Sequence, residues 1–170
     1  MIHGGVNNES NKGTQHLYYT PGQLRNTIGL SKEAFRHWKR VVPAFANGRR
    51  HAPTFSSGDV LASAVLRRLT DTVGVRIGHL SEVAPVIFQV CNESTWEVMQ
   101  DKSLVIDLQN CSCIAVNDPA FPVGELVVVC ALAPLMKTLQ SDLLNSPVQS
   151  QTKARPATAS GRRVLKVGRR

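Results

Sequence analysis

From residue 18 to residue 83, apolar side chains recur three or four positions apart, which is the repeat of helices that each bury one face. Leu24 and Ile28 form the first run, Ala34, Phe35, Trp38 and Val41 the second, and Leu61, Ala64, Val65 and Leu69 the third. Each run follows a start signal. Thr20-Pro21-Gly22-Gln23 reads as a capping box with Pro at the first helical position, Ser31 caps the second helix, and Ser56 or Ser57 caps the third, with Asp59 in its first turn. Gly29 separates the first two helices, Val42-Pro43 stops the second, and Gly74 ends the third near Val73. The pattern predicts a fourth helical segment over residues 77–90, in which Pro85 marks a kink or a restart. Between the second and third helices, Asn47-Gly48 is flanked by Phe45 and Phe55, which predicts a two-stranded wing with Arg49, Arg50 and His51 on or near its tip.

Beyond Asn92 the pattern changes from helical repeats to dense β-branched residues. Leu104-Val105-Ile106-Asp107-Leu108 and Cys111-Ser112-Cys113-Ile114-Ala115-Val116 read as a hairpin, and Glu125-Leu126-Val127-Val128-Val129-Cys130-Ala131 as a further strand. Residues 95–99 satisfy two patterns, a capping box from Ser94 to Glu97 and an alternation of Trp96 and Val98; the expectation is a strand. A last helix is expected from near Pro134, with Leu135, Met136, Leu139 and Leu143 on one face. The fold class expected is therefore α+β, with a winged helix-turn-helix followed by a small antiparallel β/α unit. The expected divisions are a disordered N-terminus at 1–17, a winged helix-turn-helix at 18–91, an α+β unit at 92–146 and a flexible basic tail at 147–170. So small a unit is expected to pack against the head or against its own copy in a dimer.

Charge sharpens this division. The chain of 170 residues carries a formal net charge of +8. Residues 20–76 hold ten Lys/Arg against three Asp/Glu, residues 77–150 two against eight, and residues 151–170 seven against none. Cations segregated into the helical head and the tail suit a polyanionic partner met by those parts and not by the middle. There is no run of roughly 18 apolar residues and no signal-peptide pattern at the start. The expectation is a cytoplasmic, nucleoid-associated protein that does not contact a membrane.

Two short helices joined by a Gly-containing turn, the second one basic, are the sequence form of a helix-turn-helix, whose second helix enters the major groove. The residues that carry a wider likeness are Tyr19-Thr20-Pro21-Gly22-Gln23-Leu24, Gly29-Leu30-Ser31, Phe35-Arg36-His37-Trp38, Phe55-Ser56-Ser57-Gly58-Asp59-Val60, Leu66-Arg67-Arg68-Leu69 and Gly74-Val75-Arg76-Ile77. Together they resemble the DNA-binding head of MerR-type regulators over about 65 residues. The resemblance implies a winged helix whose Ser-capped second helix reads the major groove and whose wing grips phosphates. It makes Ser31, Lys32, Arg36 and His37 groove-side residues and Arg49 and Arg50 wing contacts. Where that family continues into a long helix, this chain is interrupted by Asn92 and Ser94.

Chemistry separates the roles further. Arg36 is suited to choosing a base, since a guanidinium can bond the O6 and N7 of one guanine; its alternative partner is Glu33, three residues away. Lys39 and Arg40, toward the helix end, are expected on the DNA backbone, and Arg25 either touches phosphate or is solvated. Phe35 and Trp38 read as core. Of Arg67 and Arg68, at most one can face the DNA. Cys111 and Cys113, two apart, would share a strand face that Cys130 could approach, a weak metal-site pattern; buried, unligated thiols are the reading preferred. No cofactor is expected. The chain has no phosphate loop, G-x-S-x-G or H-E-x-x-H, so the expectation is a protein that is not an enzyme. Taken together, the sequence points to a sequence-specific double-stranded DNA-binding protein, expected as a homodimer, that regulates transcription in a bacterium or mobile element. Residues 92–146 would serve dimerisation or a protein partner. The alternative is an architectural or assembly factor in excision, partition or packaging.

Overall fold

In the computed structural model, residues 18–46, 54–118 and 126–145 are described. The N-terminus at 1–17, the wing tip with Arg49, Arg50 and His51, and the tail at 147–170 lie outside them. The chain is a mixed α+β fold with a three-stranded antiparallel sheet.

Local signals place the first helices. In α1 (Pro21–Thr27), Thr20 and Gln23 close a reciprocal capping box, and Gly29 ends the turn at φ 66°, a left-handed conformation that favours glycine. In α2 (Lys32–Val41), Ser31 Oγ accepts from the Ala34 amide at 3.1 Å, and Val42 closes the helix before Pro43. Most of the predicted wing lies outside the described residues, and only its flanks can be followed. Pro43–Phe45 is a 3-10 turn rather than a strand, and Phe55 bridges to Tyr19 instead of to residues 44–46. The reason is packing. Phe45 is fully buried, with ring centroids 5.7 Å from Phe35, 5.8 Å from Trp38, 6.3 Å from Phe55 and 5.3 Å from Phe88. The tight turn opened by Pro43 drops this ring among four others, a larger gain than an isolated two-stranded ribbon offers.

In α3 (Ser57–Arg68), Ser56 and Asp59 form a second capping box. The helix is buried on nearly every side, and α4 (Ala84–Asn92) and the C-terminal helix pack against it. A π-helical turn, Leu69–Val73, continues it to Gly74, whose φ of 78° stops the chain. Residues 77–90 divide in two: Ile77–Leu80 is a 3-10 turn, and Pro85, in the first turn of α4, marks a restart rather than a kink.

Residues 95–99 form a helix and not the expected strand. In α5 (Trp96–Met99), Met99 is buried while Val98 is half exposed, so the alternation of Trp96 and Val98 has no partner strand to serve. The sheet is built on β1 (Ser103–Asp107), flanked by β2 (Ser112–Val116) and β3 (Val128–Ala131) in the order β2-β1-β3. Leu104 and Ile106 turn wholly into the core, as period-two alternation requires. The hairpin turn is fixed by Asp107, whose carboxylate accepts from the amides of Gln109 at 2.8 Å and Asn110 at 3.0 Å. The last helix, α6 (Leu132–Asn145), begins two residues before Pro134 and buries Leu135, Met136 and Leu139 as expected.

Of the two expected packings for residues 92–146, the fold contains the first: α6 lies on α1 and α3, and β2 lies on α4. One hydrophobic cluster runs from Leu24 to Leu139 across both parts. Among the described residues no helix is long and apolar enough to cross a membrane.

Candidate nucleic-acid interface

The face of α2 turned from the core carries the cations. At about 100° per residue, Lys39, Lys32, Arg36 and Arg40 fall within one arc of about 100° that excludes the buried Phe35 and Trp38. Lys32, Arg36, His37 and Arg40 are exposed and Lys39 is half-buried. Phe35 and Trp38 are core residues, which fixes the helix by its apolar back and leaves its front to solvent. His37 sits beside Glu33 at the edge of the cationic arc.

The ion pair between Arg36 and Glu33 is not made, since among the described residues the only ion pair is Arg67 with Asp71, at 2.6 Å. Among the described residues Arg36 therefore has no acidic partner and is exposed on the helix. Lys39 and Arg40 occupy the last turn of α2, where the negative end of the helix dipole favours cations. The Ser31 hydroxyl oxygen is engaged as the cap. Arg25, in the last turn of α1, is half-buried and gives one guanidinium N–H to Asn26 Oδ1 at 2.8 Å, while its Nε has no partner among the described residues. It is thus partly committed to its own helix end. The predicted wing contacts Arg49 and Arg50 lie outside the described residues.

A contribution not singled out from the sequence comes from the 3-10 turn Ile77–Leu80, which packs against α2. Arg76 and His79 are exposed there and place further basic groups beside the helix. The run of cations up to residue 76 was the available signal; the turn that brings it to α2 was not visible in the periodicity.

The cysteines are arranged differently from the C-x-C reading. Cys111 lies in the hairpin turn at φ 51°, with its Sγ 3.6 Å from Glu82 Oε2, and does not share a strand face with Cys113. Cys130 is on β3, separated from Cys113 on β2 by the central β1. Burial raises all four thiols above their ordinary value, and Cys113 is pushed up to about 12, by burial first and by Cys130 second. Cys91, on α4, is raised by burial and then by Cys113 and Cys130, so the helix and the sheet meet across thiols that stay protonated. Among the described residues no group of three or more His, Cys, Asp or Glu side chains is placed to hold a metal ion. Compared with protein-family models, with characterised proteins and with solved structures, the chain gives no match.

Proposed function

We propose that this chain is a sequence-specific double-stranded DNA-binding protein, a transcriptional regulator of a bacterium or mobile element that uses a MerR-like winged helix-turn-helix as its reading head. The observation that supports this most is α2 itself, a Ser-capped helix held by Phe35 and Trp38 that presents Lys32, Arg36, Lys39 and Arg40 on one outward arc. A helix of this size fits the major groove. On this reading, Lys39, Arg40 and the cations beside α2 neutralise phosphates and release counterions, which supplies affinity without sequence choice. Arg36, with no carboxylate partner among the described residues, reaches base edges and supplies that choice. Two copies related by a two-fold axis would read an inverted repeat.

Selection of bound duplexes from a random-sequence pool at two salt concentrations tests the proposal. An enriched motif is expected, and Arg36→Ala relaxes the preference within it. Arg40→Ala weakens all sequences alike and reduces the slope of log affinity against log salt by about 1. A pool without enrichment, or identical effects of the two substitutions, overturns the reading.

A further inference from the structure

A cleft of about 590 Å³ lies between the end of α1, the end of α3 and α6. That volume falls in the range of small-molecule sites, roughly 300–1,000 Å³. Its floor is apolar: Ile28, Ala64 and Leu139 line it, each nearly buried. One polar group is built into this floor. Thr27 is 6 % exposed and lines the cleft. A threonine hydroxyl both donates and accepts, so it offers a bound molecule a hydrogen-bonding group within an apolar lining. Beside it, Asn26 has its oxygen occupied by Arg25, which leaves the amide N–H groups for a ligand. Charge on the rim balances: Arg67 pairs with Asp71 at 2.6 Å, and Arg68 and Asp142 add one charge of each sign.

From this lining we infer that the cleft is a binding site for a small amphipathic molecule without net charge, with an apolar body on Ile28, Ala64 and Leu139 and a hydrogen-bonding group at Thr27 and Asn26. The site goes beyond DNA binding and stands independently of it. Thr27, Ile28 and Gly29 lead out of α1 toward α2, so a ligand here would touch the turn that sets the angle between the two helices.

The test uses the full chain and a neutral fluorescent probe, N-phenyl-1-naphthylamine, with its 8-sulfonate derivative as the charged counterpart. Saturable binding of one neutral probe per chain is expected, detected by enhanced emission, with the sulfonate binding less tightly. Thr27→Val should weaken the neutral probe about tenfold, the equivalent of one hydrogen bond lost. Thr138→Trp, an exposed rim position on α6 that a large ring would block without touching the core, should abolish saturable binding. Circular dichroism confirms that each variant is folded. No saturable binding, or binding that survives Thr138→Trp in the folded variant, overturns the site. Tighter binding of the sulfonate than of the parent amine overturns the assignment of an uncharged ligand.

Discussion

Gly58 stands where α3 and α4 pass closest. A Cβ there would collide with the Asn92 side chain and lie 2.6 Å from the Cys91 carbonyl oxygen, which belongs to the backbone and cannot turn aside. Asn92 is equally committed: Ser56 Oγ donates to its Oδ1 at 2.5 Å, and its Nδ2 donates to Asp59 Oδ1 at 2.9 Å and to the Phe88 carbonyl at 2.8 Å. The end of α4 is thereby tied to the start of α3. Gly58→Ala should destabilise the fold by about 1–3 kcal/mol, read as a lowered midpoint of urea unfolding. Because part of the collision is with Asn92 and part with backbone, adding Asn92→Ala should relieve the penalty only partly. Full additivity of the two changes would place the strain elsewhere. The caps at Thr20, Ser31 and Ser56 were legible from local sequence, since a cap needs only its neighbours. The role of Asn92 was not, because Asp59 and Ser56, the partners that tie it to α3, are 33 and 36 residues away.

At the scale of elements, the contact of α4 with β2 carries a pH dependence. Burial of Cys113 raises its pKa from 9.0 to about 12, so the folded chain holds the thiol proton over a range in which the unfolded chain releases it. The stabilising contribution is whole below about pH 9 and is lost as pH rises from there toward 12. Urea unfolding at about pH 8 and about pH 10.5 should show stability falling, and Cys113→Ala should reduce the fall. An unchanged fall in that variant would assign it to other groups. The two elements misread from the sequence have a common physical cause. Residues 44–46 and 95–99 are short apolar stretches for which local preference is nearly neutral between strand and turn or helix. Phe45 was drawn into a turn by four aromatic rings, and residues 95–99 had no strand to pair with.

Over the whole molecule, the buried cluster passes without a break from the helical head into the sheet and α6. Thermal unfolding of the full chain should therefore be a single cooperative transition, with near-ultraviolet and far-ultraviolet circular dichroism coinciding. Two separated transitions would show that residues 92–146 fold on their own. If the proposed function holds, duplex binding should weaken linearly on a log–log plot against salt, with about 0.9 units of slope for each phosphate contacted.

The sequence by itself determined the starts of α1, α2 and α3, the buried backs of α2 and α6, the hairpin β1–β2 and the outward cations of α2. These follow from spacing, capping and turn chemistry, which act over a few residues. Only the tertiary structure decided that β3 joins β1 rather than β2, that Cys111 leaves the strand face of Cys113, that Phe45 becomes the hub of five rings, and that α6 closes a cleft over Thr27. Each of these depends on which distant surfaces meet, and that is settled by burying apolar area across the whole chain at once, a quantity that no local window contains.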